Sequence, residues 1–329
     1  MVRVNVIGWD NGVGLARDMR LLADVLSDAG FAVTLTSLRR GKLRKWFGPP
    51  IVRLRLLWYR LSGRFEARRF DVNLMLEHVR PEFLPFARRN LLVPNPEWFD
   101  ARDARHVGDI DLALTKTRHG TRVLAALGVP TRYIGFTSVD RWREGVQKEV
   151  AFFHLAGRSA RKGTRRLIEL WRRHPEWPLL TILQHPSVAQ IQEKVANIDH
   201  RVDYLTDDEL ADLQNSHMFH LCPSETEGFG HYIAEAMSAR AVTVTLDAEP
   251  MNELVQPERG MLVLARPLAK QNLAVTFDFD DAAMESTIEA LRGMDVSQLV
   301  AMGRNARAWY EDNDESFRAA VVAAMRGIA

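Results

Sequence analysis

Apolar positions along the chain come in short blocks separated by polar, glycine-bearing turns. Val2 to Gly8 is an apolar run that predicts a strand, followed by the turn Asp10-Asn-Gly-Val-Gly14. Leu15, Met19, Leu22, Leu26 and Ala29 then recur at helical spacing, Gly30 stands where a helix C-cap belongs, and Phe31 to Thr36 predicts a second strand. This β-turn-α-β opening is that of a doubly wound parallel sheet. Short strands are also predicted at Val72 to Leu76, Leu91 to Val93, Leu112 to Leu114 and Arg132 to Ile134.

A second alternation starts near Val150. It predicts strands at Phe152 to Ala156, Leu179 to Leu183, Val202 to Leu205, Phe219 to Cys222 and Ala241 to Leu246. Helices are predicted at Arg165 to Arg173 with Thr164 as N-cap, Val188 to Ala196, Asp207 to Asn215 and Tyr232 to Ala239. The stretch from Asp295 to the end reads as helical throughout. Two consecutive βα-repeating units imply an α/β protein of two Rossmann-like domains. Their joint is expected between Ser138 and Lys148, giving a first domain over 1–143 and a second over 144–305. A closing helix over 306–329 is expected to pack back toward the first.

With 329 residues, 47% of them hydrophobic and 26% charged, the chain has the composition of a globular protein with a sizeable core. No apolar run reaches the ~18 residues of a membrane span, and the first strand turns polar too soon for a signal peptide. The single cysteine, Cys222, supplies neither an internal disulfide nor a zinc site, so a reducing cytoplasm is the expected compartment. Net charge is only +2, yet it is unevenly placed. The segment 39–69 carries eleven Lys or Arg against one acid, Glu66, and interleaves them with Trp46, Phe47, Trp58 and Tyr59. Such a pattern suits a basic amphipathic insert at an anionic membrane surface, on the inner face of the cell membrane. A solvated arginine-rich face is the plainer reading. A nucleic-acid groove is the weakest, because no recognised motif accompanies the charge.

The most informative segment is Pro223-Ser-Glu-Thr-Glu-Gly-Phe-Gly-His-Tyr-Ile-Ala-Glu-Ala-Met237. A strand ends just before it and a helix follows, so backbone N–H groups at a glycine-lined helix N-terminus are offered to an anion or to sugar hydroxyls. Seven residues separate Glu227 from Glu235, and carboxylates accept hydrogen bonds from paired hydroxyls. The segment resembles the Glu-x7-Glu signature of retaining, group-1-type glycosyltransferases of the GT-B fold, in which two Rossmann-like domains face each other across a crevice. Ser224, Glu227, Gly228, Phe229, Gly230, Glu235, Ala236 and Met237 match it. The resemblance implies that Glu227 contacts the donor sugar and that Glu235, on an exposed crevice edge, contacts the nucleotide ribose. Ser224, Gly228, Phe229 and Gly230 are implied as further donor-binding positions.

Gly157-Arg-Ser-Ala-Arg-Lys-Gly163 resembles the G-R-x-x-x-K-G turn of the same family. Arg158 and Lys162 would then hold the donor diphosphate and stabilise charge on the departing nucleotide. The base is expected near Val202 to Leu205, with Tyr204 the candidate side chain. Gly12 and Gly14 correspond to the family's first glycine loop, near the donor phosphates. Glu77 and His78 follow one predicted strand, and Asn95 and Glu97 follow the next. Strand ends are where acceptor-side groups belong, with His78 a catalytic candidate; His78 as a satisfied structural histidine is the plainer alternative.

The sequence departs from the family at Arg240-Ala-Val-Thr243 and lacks the customary double glycine between Thr245 and Glu253, which leaves the donor open. The Asp-x-Asp triplets Asp109/Asp111, Asp278/Asp280 and Asp312/Asp314 read as structural or solvated, and His217 and His220 as core. No cofactor or metal is expected. The partners implied are a nucleotide-diphosphate sugar as donor and an envelope glycan or lipid-linked acceptor. A nucleotide-sugar epimerase and a catalytically silent nucleotide-sugar-binding subunit are the alternatives on the same fold.

Overall fold

The computed structural model describes residues 1–10, 14–39, 54, 58, 69–189 and 194–328. The chain divides into two compact units, Met1–Phe136 with Glu315–Ala329, and Thr137–Asp314.

The first unit is built on a six-stranded parallel sheet. Its strands are β1 (Arg3–Asp10), β2 (Ala32–Arg39), β3 (Phe70–Glu77), β4 (Ala87–Pro94), β5 (Leu112–Thr115) and β6 (Thr131–Tyr133), in the order β2-β1-β3-β4-β5-β6. The central strands are apolar runs because helices cover both faces of a parallel sheet. Val72, Leu74, Met75 and Leu76 are accordingly buried, as are Leu91, Leu92 and Val93. The helix Gly14–Asp28 buries Leu15, Met19, Leu22 and Leu26, the positions that its periodicity marks. One buried polar ladder interrupts the apolar sheet. Asn5 Nδ2 donates to Asn73 Oδ1 at 3.1 Å, and Asn73 Nδ2 donates to Asn90 Oδ1 at 2.9 Å, across strands on which these residues stand in register.

The second unit carries β7 (Glu149–Gly157), β8 (Leu180–Gln184), β9 (Ile198–Val202), β10 (His217–Cys222), β11 (Val242–Leu246) and β12 (Gly260–Val263). They form a parallel sheet in the order β12-β11-β10-β7-β8-β9. This is the doubly wound strand order, with its switch point between β7 and β10. Phe152 stacks on Phe219 at 4.6 Å and meets the edge of the fully buried Trp171 at 5.2 Å, which anchors β7, β10 and the helix Thr164–Arg173. Residues 247–294, for which the sequence pattern predicts no element, include an antiparallel hairpin, β13 (Ala265–Gln271) and β14 (Ala274–Phe279), and the helix Asp281–Arg292.

Several expectations shift. The strand expected over Val202 to Leu205 ends at Val202, and residues 203–205 form the loop before the helix Asp207–Ser216. Residues 186–188 are a turn, and the core of the helix expected over Val188 to Ala196 lies outside the described residues. The first division falls after Phe136 rather than after residue 143, because 137–143 is bonded to the second unit. Arg141 N–H donates to Ser238 Oγ at 2.9 Å, and Arg143 N–H to Asn215 Oδ1 at 3.1 Å. The closing helix, Val296–Arg326, belongs to the second unit up to Asp314, where Tyr310 OH donates to Ser138 O at 2.7 Å. From Glu315 it belongs to the first, where Phe317 meets Phe136 at 4.8 Å. Of the basic segment 39–69, the reading as a membrane insert falls almost wholly outside the described residues; Leu54 and Trp58 within it are exposed. Among the described residues, no helix is long and apolar enough to cross a membrane.

Candidate functional site

β7 and β10 are neighbours in the sheet of the second unit, and they flank its switch point, so the loops that follow them leave the sheet side by side. The turn after β7 depends on two glycines in the left-handed region, Gly157 (φ 55°) and Gly163 (φ 69°). A Cβ at Gly163 would lie 2.9 Å from the Pro223 carbonyl oxygen, so only glycine permits this approach to the loop after β10. Glu225 N–H donates to Arg161 O at 3.0 Å, and Phe277 N–H of β14 donates to Glu225 O at 2.7 Å. The two glycine loops that sequence singles out are thereby tied to one another.

Beneath them lies His154, fully buried. Its Nδ1 donates to Leu221 O at 2.8 Å, so Nε2 is left to accept from Thr164 Oγ1 at 2.9 Å. Burial pushes its pKa down to about 4, and the ring is neutral. It joins β7, β10 and the start of the next helix, and the sequence pattern gives no hint of it. His217 and His220 are likewise buried and bonded to backbone carbonyls, with pKa values lowered by burial.

Glu227 is half-buried. Its Oε1 accepts from Ser224 Oγ at 2.5 Å, and Ser224 Oγ lies 2.6 Å from Tyr232 OH. Since Ser224 gives its proton to Glu227, Tyr232 must donate to Ser224. Burial raises the Tyr232 pKa well above its ordinary value, which keeps that proton in place. Lys162 Nζ stands 3.4 Å from the Tyr232 ring centroid, a cation–π contact that carries the lysine toward the same loop. Gly230 (φ 103°) opens the helix His231–Ser238, whose first N–H groups have no partner within the helix and favour an anion. Arg158 and Arg161 are exposed on the facing turn. Phe229 is buried, so any contribution it makes to a donor comes from its backbone. Tyr204 is 74% exposed and meets His185 edge-on at 6.3 Å.

Glu235 is not on an exposed edge. It is 1% exposed, accepts from Ser138 Oγ at 3.1 Å and from Gln214 Nε2 at 3.2 Å, and faces Arg141 Nε at 3.6 Å. The helix face that carries it is covered by 137–143, a packing that the motif does not reveal. Arg141 is itself buried, with Nη1 bonded to Asp207 Oδ1 at 3.0 Å.

In the first unit, Gly12 lies outside the described residues and Gly14 opens the helix Gly14–Asp28. Glu77 ends β3 opposite Pro94 of β4, which places Glu77 and His78 beside Asn95 and Glu97 at the carboxyl ends of neighbouring strands. Glu77 holds φ 68°, a left-handed backbone unusual for a residue with a side chain. His78 is oriented by a residue that sequence reading missed. Its Nδ1 is 2.8 Å from Asp103 Oδ2, while Asp103 Oδ1 accepts from Val79 N–H at 2.8 Å. Asp103 also closes a capping box with Asp100 at the start of the short helix Ala101–Ala104.

Among the described residues, no group of three or more His, Cys, Asp or Glu is arranged to hold a metal. Two of the Asp-x-Asp triplets are engaged elsewhere. Asp278 and Asp280 pair with Arg166 and Arg266, and Asp111 pairs with Arg89 at 2.8 Å.

Residues 149–276 match the family described as Glycosyl transferases group 1. Curated protein sequences return no match. Among solved structures, sucrose-phosphate synthase from Thermosynechococcus elongatus superposes with a TM-score of 0.71 at 14% identity, covering 99% of each chain. HepE from Anabaena, solved in complex with UDP-glucose, gives 0.71 at 13% identity over 99% of this chain and 100% of that one. A structure titled trehalose-6-phosphate from E. coli, bound with UDP-2-fluoro glucose, gives 0.70 at 12% identity over 99% and 98%. The chain therefore has the GT-B fold and carries a group 1 glycosyltransferase domain, and it is a glycosyltransferase by class.

Proposed function

We propose that the chain transfers a sugar, with retention of anomeric configuration, from a nucleoside diphosphate sugar to a glycan or glycolipid acceptor of the cell envelope. The observation that carries the donor reading is the tying of the Gly157–Gly163 turn to the Pro223–Gly230 loop at the switch point. This joins a cationic turn to a helix N-terminus, the combination that suits a diphosphate. Arg158 and Lys162 stabilise the negative charge that grows on the leaving nucleotide, a role assigned here to the two side chains rather than to a metal ion. Glu227, held by Ser224, takes the hydroxyls of the donor sugar. Glu235 contributes by fixing the helix, and Tyr204 offers an exposed ring to the base. UDP-sugars are the first donors to test, since the HepE and E. coli structures hold them. His78 and its neighbours at the ends of β3 and β4 serve the acceptor. The basic segment 39–69 draws the protein to an anionic membrane surface, a reading that rests on its sequence alone.

The test is a thermal-shift titration with UDP, GDP and ADP and their sugars, followed by nucleotide release in the presence of acceptor. A ligand that binds only the folded state raises its stability by mass action, about 2.7 kcal/mol at a hundredfold excess over Kd. Stabilisation by one nucleotide and acceptor-dependent release of it support the reading. No response to any nucleotide defeats it.

A further inference from the structure

We propose that Tyr232 is a positioning residue that keeps Glu227 and Lys162 from pairing with each other. Its hydroxyl anchors the carboxylate through Ser224 and its ring anchors the ammonium, so both charges stay open to a ligand. That this ligand is a nucleoside diphosphate sugar rests on the glycosyltransferase reading above. Tyr232 is one of the four residues between Gly230 and Glu235, none of which the Glu-x7-Glu signature specifies, so the resemblance assigns it nothing.

Opposite charges on neighbouring loops attract strongly where water is scarce. Glu227 and Lys162 are both half-buried, on loops that are tied to one another, and yet no ion pair joins them. Each is held instead by an uncharged group, and both groups trace to one side chain. Tyr232 is the second residue of the helix His231–Ser238 and is 4% exposed. Its hydroxyl lies 2.6 Å from Ser224 Oγ, and Ser224 Oγ donates to Glu227 Oε1 at 2.5 Å. A carboxylate only accepts, so Ser224 gives its single proton to Glu227 and receives one from the tyrosine. The face of the same ring carries Lys162 Nζ, 3.4 Å from the centroid. A hydroxyl and an aromatic face hold an ion without cancelling its charge, whereas a counter-ion would cancel it. Loss of the side chain removes both anchors together and leaves the carboxylate and the ammonium to capture each other.

The experiment uses the full chain and calorimetric titration with the nucleotide that stabilises wild type and with its sugar, UDP and UDP-glucose first. The variants are Tyr232→Phe, Tyr232→Leu, Glu227→Gln and the pair Tyr232→Leu/Glu227→Gln. Phenylalanine keeps the ring and lacks the hydroxyl, so UDP should bind within about twofold of wild type while UDP-glucose weakens about fivefold, the effect of one lost hydrogen bond. Leucine lacks both anchors, and both ligands should weaken about tenfold. Glu227→Gln alone should leave UDP binding unchanged. Added to Tyr232→Leu, it should restore UDP to within about threefold of wild type, because the ammonium has lost the partner that captured it. A tyrosine that only packed the loop would give no such restoration. UDP affinity as low in the pair as in Tyr232→Leu, or wild-type affinity in Tyr232→Leu, overturns the proposal. Should the leucine variant not fold, Tyr232→Phe decides, and equal loss of UDP and UDP-glucose in it overturns the proposal. Melts of Tyr232→Phe, Ser224→Ala and their pair read the hydroxyl chain without ligand, and strictly additive losses there overturn it too. Wild type that binds no nucleotide, with non-additive losses in those melts, defeats the donor reading and leaves the hold of Tyr232 on Glu227 standing.

Discussion

Replacing Glu235 with alanine should destabilise the second unit severely, because the carboxylate is buried and shared. It accepts from Ser138 and Gln214 and lies 3.6 Å from Arg141 Nε, with both side chains almost wholly removed from water. Truncation leaves the Arg141 guanidinium with only Asp207, whose side chain is 86% exposed and screens little of the burden. Breaking one partner of a buried ion pair costs about 3–5 kcal/mol. For a unit of this size each kcal/mol moves the melting temperature by roughly 2–4 °C, so a fall of roughly 6–20 °C is expected. Removing Arg141 as well abolishes the uncompensated charge. The double variant should therefore lose less than the sum of the single losses, by about 1–3 kcal/mol in a double-mutant cycle. Calorimetric or fluorescence melts of wild type, Glu235→Ala, Arg141→Ala and the pair supply all four corners. A Glu235→Ala protein that melts within 2 °C of wild type (about 1 kcal/mol or less) would refute the reasoning and return Glu235 to an exposed, purely ligand-facing role.

His154 makes stability depend on pH. Its folded pKa of about 4 lies below the 6.5 of the unfolded chain, so the unfolded state takes the proton first as pH falls. Stability is fully present above pH 6.5 and lost as pH drops toward 4, by roughly 3 kcal/mol, and urea midpoints that stay level from pH 7 to 5 would contradict this. Gly163→Ala should cost about 1–3 kcal/mol in urea unfolding, because alanine strains at φ 69° and its methyl meets the Pro223 carbonyl. Arg158→Ala and Lys162→Ala should each lower kcat about a hundredfold with a smaller rise in KM. A raised KM with normal turnover would mean that they bind the ground state only. Sedimentation with anionic vesicles at low salt should be lost when Arg53, Arg55 and Arg60 are replaced by Gln, at about 1 kcal/mol per basic residue; wild type that stays in the supernatant rejects membrane docking.

What the sequence pattern showed follows from what is local. Strands buried on both faces must be apolar runs, so Val72 to Leu76 and Phe219 to Cys222 are visible without a structure. Their frayed ends are not, since pairing with a neighbour extends β3 back to Phe70 and β10 back to His217. The same division holds for the candidate site. The two glycine loops are legible because a left-handed turn between strand and helix demands glycine at fixed places. The burial of Glu235 is not, because the residue that covers it, Ser138, is 97 positions away. Asp103 reaches His78 over 25 positions, and the Asn5, Asn73 and Asn90 ladder joins three strands that no local rule brings together.

That division has a chemical counterpart. The residues that match a motif, Glu227, Arg158 and Lys162, are short of fixed partners by themselves, and each would sample several rotamers on a loop. The structure restrains Glu227 and Lys162 from outside the motif's charged set. Ser224 and Tyr232 form a hydroxyl chain that ends on Glu227, and the ring of that same tyrosine carries Lys162. His154 fastens the strand ends from which both loops depart. Preorganisation of this kind lowers the reorganisation needed when charge develops, which is where electrostatic catalysis gains most. A site that only bound a nucleotide sugar would have less need of a carboxylate held so tightly on one side. The hydroxyl chain that holds Glu227 therefore favours a catalyst over a silent binding subunit.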